Sequence, residues 1–172
     1  MRTVTRNGWG GEECVEEEGK ETESCILDGC GDTQCTQPYT VLRDQWRRIQ
    51  YGNIFPTVHC DKQALGWTRF SFPESPYAQI PTSPPPQEYL GHDSSMRTCG
   101  TAAVSWMEGD LPKFGDTPKT MEMNFAWTNG RTKHGSYSTE VVSCKEQPHT
   151  QEFILYNLKP TPGGWLGAHC AI

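Results

Sequence analysis

Eight cysteines stand singly along the 172 residues of this chain, and they constrain its fold more than any other feature. They do not form the paired C-x-x-C knuckles of zinc sites or redox motifs. No histidine follows Cys25, Cys30 and Cys35 at a matching interval. Scattered cysteines in a chain of this size favour a framework of disulfides, which persists outside the reducing cytosol. We therefore expect a secreted, extracellular protein without a zinc site.

The apolar residues are distributed in a way that predicts short strands joined by many turns. Hydrophobic residues make up 34% of the chain, and 17 glycines and 13 prolines interrupt them. Alternating or continuous apolar residues over 67–72, 140–144 and 153–158 predict strands. The proline-rich segment 73–86 predicts a loop or a sheet edge, because proline donates no ladder hydrogen bond.

One segment shows helical spacing. After Pro38, Trp46 stands four residues beyond Leu42, and Ile49 stands three residues beyond Trp46. This spacing places the three side chains on one face of a short helix. The expected fold class is therefore all-β with small α content. We expect disulfide-linked antiparallel β-sheets with one short peripheral helix.

The first 30 residues differ in composition from the rest of the chain. Seven glutamates and almost no apolar side chains lie between residues 12 and 23, and such a run is usually solvated. We expect residues 1–30 to form an acidic arm and residues 31–172 to form a β-rich cysteine module. Because the polar segment 1–5 is not a secretory signal, we also expect a mature or truncated form.

Charge and motif content oppose several classes of function. A net charge of −6 without a basic stripe opposes nucleic-acid binding, and no apolar run approaches the ~20 residues of a membrane helix. The five histidines stand singly, outside any G-x-S-x-G or H-E-x-x-H motif. We expect no nucleic-acid partner, no membrane span and no enzymatic activity.

Short motifs follow one another from residue 35 to the end of the chain. They include Cys35-Thr-Gln-Pro-Tyr39, Gly66-Trp-Thr-Arg-Phe70, Trp106-Met-Glu-Gly109, Val141-Val-Ser-Cys144 and Phe153-Ile-Leu-Tyr-Asn-Leu158. In order and spacing, residues 35–172 resemble the eight-cysteine module of uromodulin and of related secreted, lectin-like proteins. The resemblance is closest in character to calcium-dependent, galactose-binding cnidarian lectins, and it implies recognition rather than catalysis.

The arm carries a resemblance of its own. Arg2-Thr-Val-Thr-Arg6, Gly10-Gly11, Cys14, Cys25 and Cys30 resemble the second half of a thrombospondin type 1 repeat. The first half of that repeat is missing, together with the cysteines that would close its bridges. The resemblance therefore implies a C-terminal fragment of such a repeat.

The module contains an odd number of cysteines. They are Cys35, Cys60, Cys99, Cys144 and Cys170. One of them must pair with a cysteine of the arm, stay free, or bridge to a second protomer. The sequence leaves these alternatives open, and a disulfide between two arms would give a covalent homodimer.

Hard oxygen ligands gather between residues 106 and 137. Glu108, Asp110 and Asp116 lie in segments broken by glycine turns, and flexible loops of this kind can fold several oxygens around one calcium ion. We take these three residues as candidate calcium ligands.

The same stretch contains candidate sugar-binding residues. Trp127, Asn129, Asn124 and Tyr137 combine aromatic rings, which stack on the apolar face of a sugar, with amides that bind its hydroxyls. The tryptophans of the motif framework are expected in the core: Trp46, Trp67 and Trp106.

These features and the resemblance together predict a secreted lectin. We expect it to bind glycans, with galactose-type terminal sugars and calcium at residues 108–137. The alternative is an extracellular matrix or adhesion module that makes protein–protein contacts.

Overall fold

The computed structural model describes residues 14–15, 21–23, 33–49, 58–84, 99–101, 103–127, 133–146, 151–162 and 167–172. This part of the chain is built from strands, so the predicted all-β fold class is confirmed. The strands are β1 (Cys14–Val15), β2 (Glu21–Glu23), β3 (Tyr39–Leu42), β4 (Val58–His59), β5 (Gly66–Phe70), β6 (Ala103–Glu108), β7 (Lys119–Trp127), β8 (Lys133–Lys145), β9 (Glu152–Leu158) and β10 (Gly167–Ala168).

Eight of these strands form one mixed sheet in the order β10-β6-β7-β8-β9-β5-β3-β2. Neighbouring strands from β6 through β7, β8 and β9 to β5 are antiparallel. Strand β10 pairs in parallel with β6, and β3 pairs in parallel with β5. The two remaining strands, β1 and β4, pair in parallel with each other. Two strands of the expected arm, β1 and β2, thus pair with strands of the expected module.

The predicted helix at Leu42, Trp46 and Ile49 is wrong. Leu42 ends strand β3, and only a short 3-10 turn follows at Gln45–Arg47. Tyr39-Thr-Val-Leu42 is rich in residues that favour strands, and its parallel pairing with β5 outweighs the helical spacing. The side chains of Leu42, Trp46 and Ile49 are nevertheless buried. The pattern therefore correctly indicated burial but not a helix.

Other predictions from periodicity agree with the structure. Strands β8 and β9 contain the predicted segments 140–144 and 153–158, and β5 contains residues 67–70 of the predicted segment 67–72. Most of residues 73–84 lies outside regular structure. β9 is buried on both faces rather than one, because Ile154 and Tyr156 enter one apolar cluster while Phe153 and Leu155 enter another. Within the described residues, no helix is long and apolar enough to cross a membrane.

The two apolar clusters lie on opposite faces of the sheet, and we call these faces the core face and the second face. The core face carries the larger cluster, which includes Phe70, Met107, Met121, Met123, Phe125, Tyr156 and Leu158. The second face carries Cys35, Tyr39, Val41, Val142, Cys144, Phe153 and Leu155. The side chains of each strand alternate between the faces with a period of two residues.

Two disulfides are resolved in the described residues. Cys35 pairs with Cys144 and Cys99 pairs with Cys170, across sequence separations of 109 and 71 residues. Closing loops of this length stabilises a folded chain by about 4 to 5 kcal/mol each in the chain-entropy treatment. Cys60 is also disulfide-bonded. The module therefore contains no free thiol, which removes one of the three alternatives.

A buried carboxylate joins distant segments of the sheet. Asp61 is 5% exposed, and Arg47 donates hydrogen bonds of 2.8 Å to each of its carboxylate oxygens. The backbone nitrogen and Nδ1 of His169 both lie 2.8 Å from Oδ2 of Asp61. The backbone of Asp61 is also bonded, since its nitrogen donates to Gly167 and its carbonyl accepts from Thr161.

The charge of Asp61 fixes the protons around it. Burial opposes ionisation, but the charge of Arg47 and the hydrogen bonds from His169 and Arg47 hold the pKa of Asp61 well below its usual range. In the neutral imidazole, Nδ1 of His169 therefore carries the proton, and Nε2 accepts a hydrogen bond of 2.7 Å from the Tyr137 hydroxyl. Burial in turn raises the pKa of Tyr137, so the phenol stays neutral and keeps this bond.

We expect Asp61→Asn to lower the free energy of unfolding by about 3 to 5 kcal/mol, because it leaves the guanidinium of Arg47 buried without its counter-charge. Urea denaturation followed by far-ultraviolet circular dichroism at neutral pH measures the change. Asp110→Asn removes an exposed carboxylate instead, and it should leave the unfolding midpoint unchanged.

The same variant carries a pH signature. The pKa of Asp61 is lowered by folding, so its contribution to stability is present above about pH 4 and is lost as the pH falls below that value. The wild-type protein should therefore lose stability more steeply than Asp61→Asn on acidification. Parallel stability curves for the two proteins would show that Asp61 does not hold the fold by its charge.

Candidate functional site on the second face of the sheet

The predicted calcium ligands lie on one exposed hairpin, which joins β6 to β7. Glu108 ends β6, and Asp110 and Asp116 lie in the connecting turn. Nζ of Lys119 is 3.5 Å from the carbonyl oxygen of Asp110 and 3.9 Å from Oδ2 of Asp116. Two of the three predicted calcium ligands, Asp110 and Asp116, thus lie beside the ammonium group of Lys119. No group of three or more acidic, histidine or cysteine side chains suited to a metal ion occurs in the described ranges.

The hairpin is anchored to the neighbouring strands. The backbone nitrogen of Phe114 donates to the Glu152 carboxylate at 3.2 Å, and Nζ of Lys145 lies 4.5 Å from the centre of the Phe114 ring. The backbone nitrogen of Lys113 donates to Asp116 at 2.9 Å, which closes the turn locally. These contacts hold the carboxylate of Asp116 in a defined position.

The predicted sugar-binding residues do not come together in the described part of the protein. Asn124 is 1% exposed and faces the second side of the sheet, whereas Tyr137 faces the core side and is bonded to His169. Strand alternation thus places these two side chains on opposite faces, where they cannot contact one sugar. The side chain of Trp127 and all of Asn129 lie outside the described residues.

The tryptophans expected in the core divide into two groups. Trp46 and Trp106 are buried, as predicted. Trp67 is only partly buried, although it packs against the apolar cluster of the second face. The structure therefore offers a partly exposed indole at a position that the sequence placed in the core.

Trp67 belongs to a row of side chains that crosses four strands. Trp67 of β5 pairs with Asn157 of β9, and Glu140 of β8 occupies the next position in the β8–β9 register. Thr120 of β7 pairs in turn with Glu140. Glu140 and Thr120 are exposed, and Asn157 is partly exposed. We call these four residues the Trp67 row.

All four members of the Trp67 row face the same side of the sheet. Trp67 packs against the cluster that contains Val142 and Leu155, and these residues stand two positions from Glu140 and Asn157 on their strands. With neighbouring strands about 4.8 Å apart, the row is roughly 14 Å long. That length suits one or two sugar rings.

The row combines groups that recognise carbohydrate. An indole stacks on the apolar C–H face of a sugar ring, while an amide and a carboxylate bind its hydroxyls. Sequence reasoning missed this set because Trp67 and Asn157 are 90 positions apart and meet only through strand pairing. The only local signal was the alternation around each residue, which placed them on strands but not on neighbouring ones.

Arg69 extends the row along strand β5. It is 6% exposed, faces the same side as Trp67, and its guanidinium carbon lies 4.7 Å from the centre of the Phe153 ring. Its Nη1 is 3.9 Å from Oε1 of Glu146, a distance too long for a hydrogen bond. Its Nε and Nη1 have no hydrogen-bond partner among the residues that the structure describes.

Glu146 is held from a second direction. The Tyr77 hydroxyl donates a hydrogen bond of 2.9 Å to Oε2 of Glu146, and this bond raises the pKa of Tyr77. The side chain of Glu146 is 35% exposed. A carboxylate therefore sits at the surface, directly above a buried arginine.

A scan of known protein families matches residues 70–171 to the uromodulin-like domain, and this range is more than half of the chain. No curated protein matches the chain. The matched range begins at the last residue of β5 and includes Cys99, Cys144 and Cys170, while residues 1–30 lie outside it. A disulfide-linked module of this kind is consistent with an extracellular protein. The chain belongs to the uromodulin-like domain family.

Proposed function

We propose that this chain is a secreted carbohydrate-binding protein, a lectin, that binds galactose-type terminal sugars on the Trp67 row. The observation that carries the proposal is a partly exposed indole with an amide and a carboxylate beside it on one sheet face. Side chains on paired strands are held more precisely than side chains on loops, which favours recognition of a small, rigid ligand.

The surroundings of Trp67 support a preformed site. Tyr39 and Phe153 lie in the cluster against which the indole packs, and the Cys35–Cys144 disulfide belongs to the same cluster. A ring held in this way loses little conformational freedom when a ligand binds. The part of Trp67 that remains in solvent is free to contact a sugar.

Galactose suits this arrangement because of the shape of its ring. Its axial hydroxyl lies on one face, which leaves a continuous patch of C–H groups on the other face to stack on an indole. The hydroxyls at the ring edge can then donate to Glu140 and exchange hydrogen bonds with Asn157. Together, stacking and hydroxyl geometry discriminate between sugars.

We expect Glu140→Gln to weaken binding of methyl galactoside about tenfold or more, because a hydrogen bond to a charged group contributes about 1.5 to 3 kcal/mol. Isothermal titration calorimetry measures the affinity. Glu140 is exposed, so the variant should unfold at the wild-type temperature.

Glu74→Gln is the matched control, since it removes an exposed carboxylate that pairs with Arg48 outside the Trp67 row. It should leave sugar binding unchanged. A wild-type protein that is silent on a glycan array would overturn the proposal, and so would a Glu140→Gln variant that binds galactoside as tightly as the wild type.

Calcium is a separate part of the proposal, and it concerns the β6–β7 hairpin. The backbone carbonyl oxygen of Asp110 and the carboxylate of Asp116 already lie near one cation, the ammonium of Lys119. A calcium ion held there would replace that ammonium, and Glu108, which ends β6, is the third carboxylate of the predicted set. The ion would supply a second contact for sugar hydroxyls at the end of β6.

We expect Lys119→Met to tighten calcium binding several-fold, because it removes the positive charge that competes for Asp116. Asp116→Asn should weaken calcium binding by a comparable factor. Titration of chelator-treated protein with calcium measures both changes. If neither variant alters the calcium affinity, the hairpin does not bind the ion, and galactoside binding that persists in chelator leaves the Trp67 row standing.

A second candidate function is an extracellular matrix or adhesion module that makes protein–protein contacts. The observation that favours it is the exposure of three acidic residues, Glu108, Asp110 and Asp116, on the one β6–β7 hairpin. An exposed acidic hairpin on a chain of net charge −6 attracts a basic partner surface. A silent glycan array, together with binding of a lysine-rich peptide that fades with salt and is lost in Glu108→Gln, would support this candidate over the lectin.

A further inference from the structure

We infer that the sugar site continues from the Trp67 row to a carboxylate-binding subsite at Arg69, so that the preferred ligand is a sugar acid joined to galactose. The inference rests on the proposed function, because the neutral part of the ligand has to lie on the Trp67 row. It adds the chemical class of the terminal residue, which the row alone does not define.

Two nitrogens of the Arg69 guanidinium lack a hydrogen-bond partner in the described part of the chain. A buried charged donor without an acceptor costs free energy, and among the described residues neither Nε nor Nη1 has an acceptor. The Phe153 ring lies against the guanidinium, and both nitrogens are buried, so a ligand reaches Nη1 only when the Glu146 side chain moves away. Nε and Nη1 point to different sides of the guanidinium, so a carboxylate that forms two parallel hydrogen bonds with Nη1 binds the end of the group, where Nη1 and Nη2 lie side by side.

The carboxylate of Glu146 already faces Arg69. Oε1 of Glu146 approaches Nη1 to 3.9 Å but does not form a hydrogen bond, and its other oxygen is bonded to Tyr77. A carboxylate is therefore the chemistry that this position already accommodates, in a geometry that a better-placed carboxylate would improve. Because the Glu146 side chain is 35% exposed, it can move into solvent when a ligand enters.

The two parts of the site lie close together on strand β5. Trp67 and Arg69 are two residues apart on one strand and face the same side, so their Cα atoms are roughly 7 Å apart. That separation is close to the width of one sugar ring. A saccharide stacked on Trp67 can therefore place a carboxylate substituent at Arg69, with Tyr77 at the edge of the subsite.

The test compares three probes by isothermal titration calorimetry in the presence of chelator. They are N-acetylneuraminic acid linked to methyl galactoside, the methyl ester of the same disaccharide, and neutral methyl galactoside. We expect the acid to bind about tenfold or more tightly than its ester, since esterification removes the charge that Arg69 recognises.

Two variants locate the effect. Glu146→Gln weakens the internal competitor, so it should raise affinity for the acid several-fold and leave affinity for methyl galactoside unchanged. Arg69→Gln should remove the preference for the acid while galactoside binding persists. Because Arg69 is buried, this variant can fail to fold, so its thermal unfolding is measured first. If it is unfolded, the comparison of Glu146→Gln with the wild type suffices for the test.

The outcomes separate the inference from the proposed function. Equal affinities for acid and ester, with galactoside still bound, would overturn the inference and leave the lectin intact. If Glu146→Gln binds the acid with wild-type affinity, Glu146 is not displaced by the ligand, and the carboxylate-binding subsite is refuted. If none of the three probes binds, the Trp67 row is not a sugar site, and both proposals fail.

Discussion

The carboxylate of Asp61 is a negative charge inside a sheet protein, and this placement limits how the surrounding chain can be arranged. Removing such a group from water costs several kcal/mol, which only well-aligned partners offset. Here Arg47 binds both carboxylate oxygens, and His169 adds its backbone nitrogen and its ring. The partners come from segments separated by more than a hundred residues, so all of them have to be in place together.

The route of the chain follows from this requirement. The C-terminal segment must return beside Asp61 for His169 to reach it, and β10 then pairs in parallel with β6 while Cys170 bonds to Cys99. His169 also binds Tyr137, which couples the network to β8 on the core face. Arg47 stands in the 3-10 turn that follows β3, so the same charge fixes the segment that the sequence pattern assigned to a helix.

The coverage of the second face decides where a ligand can bind. The segment that carries Cys35 is tied to Cys144 and buries Val142, Phe153 and Leu155 beneath it. Beyond this cover, Trp67 and its neighbours across the strands keep part of their surface in solvent. Arg69 is 6% exposed, and its Nε and Nη1 have no hydrogen-bond acceptor among the described residues.

The sequence by itself determined the all-β class, the presence of disulfides and strands within 67–72, 140–144 and 153–158, because apolar periodicity acts locally and scattered cysteines favour disulfides. It also led to the family, through motifs that are read in order along the chain. Only the tertiary structure decided which side chains share a face. Trp67 meets Asn157 and Glu140 through strand register, and Asn124 is separated from Tyr137 by the sheet itself. Register and coverage depend on contacts between residues far apart in sequence, and no local pattern specifies them.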